Sequence, residues 1–360
     1  MNNYSTIKKL QQLGKKIVVT ITGGGSQIIG ELLRYGGSSS IILECNTPYS
    51  TEAVDSFLGY TPNKYCSEET ARKLALESYR RASRLSKDPL NSVGVAVTAS
   101  LSKDNQREGR ANIAHIGIQT AYQTFSDSSE FKDTKGRIEQ EDELTKEVIN
   151  LLPECIKVLS QKKHPDIYTE AFANNQCTWI PINSQTPSRF LFPGSFNPIH
   201  AGHRAIIDYV ANHKSNHNKL VDLEISMTNV DKAPLDMSDI VKRINLIKTI
   251  KNIGGVWLTN TARFTEKSLF FEEKIFLLGM DTFVRIFDEK YYEDYYGELS
   301  NISSNMQLNS NNVWVFERIS ETQRGTTIPH DAGIYLKGRY SVITDFTPIN
   351  ISSTELRASE

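Results

Sequence analysis

The sequence predicts two consecutive α/β domains, and three observations carry that expectation. The chain has 360 residues, more than one hydrophobic core ordinarily serves. Short β-branched runs alternate with amphipathic stretches along most of its length, the pattern of strands linked by helical crossovers. The alternation lapses once, in HPDIYTEAFANNQCTWIPINSQTPS, where three prolines and several Asn and Ser mark a boundary. The expected division is a first domain over 1–163, a linker over 164–188 and a second domain over 189–360.

Composition narrows the function classes. Hydrophobic residues make up 39% and charged ones 23%, enough for buried cores and a wetted surface. Lys plus Arg number 41 against 42 Asp plus Glu, a net charge of -1, so neither nucleic acid nor an anionic membrane is an expected partner. No apolar run approaches the roughly 20 residues that cross a bilayer. The first residues, MNNYSTIKKLQQLGKK, lack the apolar segment of a signal peptide, and a cytoplasmic protein is expected. Cys45, Cys66, Cys155 and Cys177 are scattered without a C-x-x-C pair, which argues against a zinc site or a disulfide framework.

Element by element, IVVTI before Gly23–Gly25 reads as a buried strand entering a tight turn. Ile28, Ile29, Leu32 and Leu33 form a helical stripe closed by Gly36 and Gly37, and SSSIILE reads as a second strand. Ser67 is placed to cap a helix whose first turn carries Glu68 and Glu69. VGVAVTAS is a further strand, and ANIAHIGIQTAYQTF reads as one more. From Glu139 to Ser160 an amphipathic helix is expected to kink or break at Pro153. In the second domain RFLF, KLVDLEIS, GGVWLTN, KIFLLG and NNVWVFER read as strands with helices between them, which implies a parallel sheet covered on both faces. The Asn- and Ser-rich LSNISSNMQLNSNN reads as a mobile loop, and ISSTELRASE as the start of a last helix.

The most informative residues are Gly194, Ser195, Phe196, Asn197, Pro198, Ile199, His200, Ala201, Gly202 and His203. A glycine-bearing turn leaves a strand, and two histidines three apart face one side at the start of a helix. Unpaired N–H groups and partial positive charge make such a terminus a phosphate site. Gly202 removes a Cβ that would crowd a close ligand. A helix-capping histidine beside a surface one would give the same local pattern. Near the C-terminus Ser352, Ser353 and Thr354 offer hydroxyls at a helix start, with Arg357 one turn on as a charged fork, although an N-cap followed by a surface arginine looks no different.

Together these two elements resemble the HxGH nucleotidylyltransferase superfamily, and within it the nicotinamide mononucleotide adenylyltransferases, which share the G-S-F-N-P turn. Gly279-Met280-Asp281 matches their G-x-D element. The resemblance covers about 189–360 and implies a Rossmann-like, doubly wound parallel-sheet domain. It implies that His200, His203 and Arg357 are catalytic, with the two histidines contacting ATP phosphates, that Ser353, Thr354 and Arg357 grip the triphosphate, that Ser195, Phe196 and Asn197 lie near the acceptor, and that Gly194 and Ser352 also bind substrate or ATP. Gly279 and Asp281 would bind nucleotide, and Lys232 is a further candidate phosphate ligand. The implied reaction is transfer of AMP from ATP to a phosphorylated acceptor, expected to be nicotinamide mononucleotide, with release of pyrophosphate. Mg²⁺ would neutralise the phosphates, and no protein-held metal site is expected. The alternatives are cytidylyl or adenylyl transfer to another phosphorylated acceptor, and a nucleotide-binding regulatory protein without turnover.

The first domain resembles the CinA C-terminal domain, a family that includes nicotinamide mononucleotide amidohydrolases. Thr22-Gly23-Gly24, Gly37-Ser38-Ser39 and Pro48-Tyr49-Ser50-Thr51-Glu52-Ala53 carry the resemblance. Two departures speak against amidase activity: Thr20 stands where the family has its serine, and Val54 where it has lysine. A hydroxyl nucleophile needs a neighbouring base or cation, and valine supplies neither. Tyr49, the Gly23–Gly25 turn and the basic residues Arg107, Arg110, His115 and Arg137 form either a binding pocket or a solvated surface. CinA-type domains commonly pair, so a homo-oligomer is the expected state.

Overall fold

The eight residues Lys16–Gly23, rich in β-branched side chains, form the strand that organises the first sheet. The computed structural model describes residues 3–103, 111–161, 177–213, 219–228, 233–317, 328–347 and 349. These fall into two units, the first comprising the residues up to 161 together with Ala233–Asp239, the second those from 177 to 228 and from Ile240 onward. Among the described residues no helix is long and apolar enough to cross a membrane.

In the first unit the elements run α1 (Tyr4–Gln12), β1 (Lys16–Gly23), α2 (Gln27–Leu33), β2 (Ile42–Asn46), α3 (Thr51–Leu58), α4 (Glu68–Ser86), β3 (Ser92–Ser100), β4 (Asn112–Thr120), β5 (Thr124–Phe131) and α5 (Arg137–Leu159). The sheet order is β2-β1-β3-β4-β5, with β1 parallel to β2 and β3, and with β3-β4 and β4-β5 antiparallel. Val93, Val95 and Val97 face a core completed by α1, α2 and α5, while Ala96 meets Leu74 and Ala75 of α4 on the other face. As the sequence predicts, the Ser67 hydroxyl accepts from the Thr70 N–H and caps α4. Lys73 on α4 is buried, and its Nζ donates to Asp236 Oδ2 at 3.0 Å and Asp239 Oδ2 at 2.5 Å.

Two expectations for this unit need correction. The span read as a single strand after Ala111 is a hairpin, β4 and β5, turned at Ala121–Gln123, where Thr120 Oγ1 accepts from the Gln123 N–H at 3.1 Å. The turn carries no Gly or Pro, so the usual punctuation is missing. There is no break at Pro153: helix α5 continues through it, because Val148, Ile149, Leu152 and Ile156 on both sides of the proline are buried in the same core. That burial offsets the lost backbone hydrogen bond.

The second unit contains β6 (Thr178–Pro181), β7 (Phe190–Pro193), α6 (Ala201–Asn212), β8 (Val221–Ser226), α7 (Met237–Ile247, its first three residues counted with the first unit), β9 (Ile253–Thr259), α8 (Phe264–Phe270), β10 (Ile275–Gly279), α9 (Met280–Arg285), α10 (Tyr295–Leu308), β11 (Asn312–Phe316), α11 (His330–Leu336) and β12 (Tyr340–Ile343). Its sheet has the order β12-β11-β10-β7-β8-β9-β6. Neighbours are parallel throughout except β6, which pairs antiparallel with β9. The expected linker 164–188 therefore holds an edge strand of this sheet, with Trp179 opposite Trp257. LSNISSNMQLNSNN is not a loop: it lies mainly in α10, with Leu299, Ile302 and Met306 buried on one face and the Asn and Ser residues largely on the other. The last helix expected over 351–360 lies outside the described residues.

Two stability predictions follow from this packing. A Cβ on Gly94 of β3 would come within 2.0 Å of the Ala75 carbonyl oxygen and 2.3 Å of the Tyr79 nitrogen, both backbone atoms of α4. Gly94→Ala should cost at least about 3 kcal/mol, the upper range of overpacking, read as a lowered urea midpoint of the first unit. In the second unit Asp222 at the start of β8 is fully buried, and burial pushes its carboxyl from 3.8 up to about 6. The folded state holds that proton more tightly than the unfolded chain, so this group's stabilising share is complete below 3.8 and is lost as pH rises to about 6. Asp222→Asn should remove a pH-dependent loss of about 3 kcal/mol across that window, seen as a flatter plot of unfolding free energy against pH.

Candidate active site

The chain leaves β7 at Pro193 and turns through Gly194-Ser195-Phe196-Asn197 before α6 begins at Ala201. A Cβ on Gly194 would lie 2.7 Å from Phe196 Cζ, so only glycine admits the Phe196 ring there. Phe196 sits at φ 45°, in the left-handed region, and its ring is 1% exposed. The Phe196 side chain is core, edge-on to Phe192 at 5.4 Å and to His203 at 5.1 Å. Two further bonds pin the turn: the Gly194 N–H donates to the Glu224 carbonyl at 2.9 Å, and Arg243 Nη1 on α7 donates to the Ser195 carbonyl at 2.7 Å. Asn197 is exposed, and the peptide bond between Asn197 and Pro198 is cis.

The two histidines meet. Their rings stack with centroids 3.7 Å apart at 27°. The His200 backbone N–H donates to His203 Nδ1 at 3.2 Å, so in the neutral ring the proton of His203 sits on Nε2. His203 Nδ1 thus takes the capping role at the start of the helix. A Cβ at Gly202 would come within 3.2 Å of the His200 ring and 3.3 Å of the Ile349 carbonyl, which is the crowding that glycine avoids.

Beside the turn, at the carboxyl ends of the strands, a cleft of about 250 Å³ opens between Gly194, Ser195, Glu224, Lys267, Arg285 and Tyr292, with Arg263, Phe264 and Thr282 also in its wall. Crevices at that edge of an α/β sheet are where ligands bind. Glu224 is 1% exposed, and its Oε1 accepts from Thr259 Oγ1 at 2.5 Å and from Lys267 Nζ at 2.6 Å. Arg285 Nη2 donates to the Tyr291 hydroxyl at 3.0 Å. Gly279 caps the short α9, and Asp281 lies half-buried in its first turn, while Thr282 and Arg285 from that helix reach the cleft wall. Lys232, Ser352, Ser353, Thr354 and Arg357 lie outside the described residues.

The sequence reading missed Arg243, Glu224 and Lys267. Arg243 is one basic residue within an amphipathic helix. Glu224 left a trace: Asp222 and Glu224 alternate with Val221, Leu223 and Ile225, placing two carboxylates on one face of a strand that the parallel sheet must bury.

In the first unit the Thr20 hydroxyl is buried and lies 2.7 Å from the Ser78 hydroxyl, which donates to the Leu74 carbonyl at 2.8 Å. Thr20 therefore donates to Ser78 and meets no base there. Val54 is buried, and Tyr49 is 71% exposed. The Gly25 N–H of the glycine turn donates to Glu141 Oε2 at 2.7 Å, so a carboxylate of α5 already occupies the place an anion would take. Of the basic cluster, Arg107 and Arg110 lie outside the described residues. His115 Nδ1 is 2.7 Å from the Ser128 hydroxyl, and burial lowers its pKa. Arg137 pairs with Glu141 at 3.6 Å. Cys45 is half-buried, and burial pushes its thiol up to about 11.

Residues 191–359 match the family model described as cytidylyltransferase-like. No curated protein matches the chain. Among solved structures, the chain is similar to the competence/damage inducible protein CihA from Agrobacterium tumefaciens at 18% identity and TM-score 0.35, over 44% of this chain and 93% of that one. It is similar to a competence or damage-inducible protein from Enterobacter asburiae at 14% identity and TM-score 0.36, over 45% of this chain and 99% of that one. It is also similar to the nicotinic acid mononucleotide adenylyltransferase of Plasmodium falciparum complexed with NaAD, at 18% identity and TM-score 0.30, over 48% of this chain and 83% of that one. The C-terminal segment is thus cytidylyltransferase-like, which supports nucleotidyl transfer as its class of activity.

Proposed function

We propose that the second unit moves AMP from ATP to a phosphorylated acceptor, a pyridine mononucleotide such as nicotinamide mononucleotide, and releases pyrophosphate. The observation that carries this reading is the stacked His200–His203 pair at the start of α6, with His203 Nδ1 bonded to the His200 N–H. The cytidylyltransferase-like match over 191–359 and the adjoining cleft support it.

In this reaction a phosphate oxygen of the mononucleotide attacks the α-phosphorus of ATP. One P–O bond forms as the bond to the bridging oxygen breaks, and the electron pair leaves with pyrophosphate. No protein nucleophile takes part, so catalysis rests on positioning and on charge stabilisation. His203 Nε2–H and the first N–H groups of α6 meet the phosphate oxygens as negative charge shifts toward the leaving group. In the same reading Arg357, Ser352, Ser353, Thr354 and Lys232 hold the triphosphate, and Asp281 the nucleotide. Mg²⁺ brought in with ATP would neutralise its phosphates. The first unit, in this proposal, hydrolyses no amide, since the Thr20 hydroxyl donates to the Ser78 hydroxyl, which is no base, and Val54 supplies no charge.

Incubation with ATP, Mg²⁺ and a panel of phosphorylated acceptors should release pyrophosphate with a pyridine mononucleotide. ATP binding without release for any acceptor would instead identify a nucleotide sensor. His203→Ala should lower kcat by at least about a hundredfold, the scale of losing one charge-stabilising donor, and near-normal turnover would remove His203 from its assigned role. No ammonia should appear from nicotinamide mononucleotide above the uncatalysed rate; its release would overturn the reading of the first unit.

A further inference from the structure

We propose that the buried Glu224–Lys267 pair reads the acceptor's headgroup and selects a neutral carboxamide over a carboxylate. The proposal rests on the reading of the acceptor as a pyridine mononucleotide. Both residues line the cleft together with Ser195 of the motif turn. Glu224 is 1% and Lys267 8% exposed. A buried ion pair is no better for stability than apolar side chains of the same volume, so its presence in a cleft wall calls for a use.

Counting donors and acceptors gives that use. An ammonium has three N–H donors, and Lys267 spends one on Glu224 Oε1 at 2.6 Å and one on the Thr261 carbonyl at 2.8 Å. The carboxylate takes both of its bonds from described residues at Oε1, from Lys267 and from Thr259. Among the described residues one donor on Nζ and the acceptor Oε2 of its ion-pair partner remain. A primary carboxamide presents the complement, an N–H donor and a carbonyl acceptor on one planar group. A carboxylate presents acceptors alone and sets a second negative charge against Glu224, whose partner Lys267 is already balanced. Phe264 and Tyr292 in the same wall add aromatic surface suited to the planar ring that carries the headgroup.

The test compares kcat/KM for nicotinamide mononucleotide and nicotinate mononucleotide, with ATP, in the full chain. The unaltered protein should favour the amide by at least about tenfold, as a site built to hydrogen-bond one group rejects its analogue. Glu224→Gln leaves Lys267 with an unbalanced charge and should shift the ratio at least about tenfold toward the acid. The double variant Glu224→Gln with Lys267→Met removes both charges, guards against a single variant that fails to fold, and should bring the ratio close to one. A preference for the acid in the unaltered protein, or a ratio unmoved in a folded variant, overturns the proposal alone. Turnover with some other phosphorylated acceptor and with neither mononucleotide overturns the acceptor reading and the proposal with it.

Discussion

The Phe196 ring fills the space that a side chain at position 194 would need, and the candidate site depends on that exclusion. With the ring buried against Phe192, the backbone is driven through a left-handed residue and returns toward the sheet in time to start α6. The same ring meets His203 edge-on, so one aromatic side chain sets both the path of the turn and the pose of the imidazole. Hydrogen bonds from Arg243 and Gly194 then fix the two sides of the turn to α7 and β8. The site is preorganised by core packing, which suits a reaction whose protein has positions to hold and no bond to make.

Much of this was legible in the sequence, for a physical reason. A glycine that admits a ring, a proline that fixes the chain and two histidines three apart are local features, and local features survive in one dimension. Glu224 and Lys267 come together from different elements, 43 positions apart, and only the sheet brings them into contact. Helix α10 was hidden by composition: three apolar residues at 299, 302 and 306 suffice to bury one face, but the Asn and Ser around them read as a loop. The β4–β5 hairpin was hidden by a turn whose hydrogen bonds come from Thr120 and Gln119 instead of from Gly or Asn. The fold class needed none of these details, since alternating strands and helices suffice to imply it.

In the first unit the glycine turn is held by partners from within the fold. Glu141 accepts the Gly25 N–H, and Thr20 is drawn into a buried hydroxyl chain with Ser78. Each interaction fills a polar position from within the fold, so the geometry of the turn is maintained by internal partners.

Strand β6 shows that the motif-bearing region and the folding unit have different limits. It lies antiparallel on β9 and covers the N–H and C=O groups along Gly255–Leu258, next to Trp257. The recognisable segment starts at 191, some ten residues after β6 ends at Pro181. A fragment cut at that recognisable start would bare a glycine- and valine-bearing edge able to recruit strands from neighbouring molecules, so the autonomous piece of this polypeptide must begin upstream of Thr178.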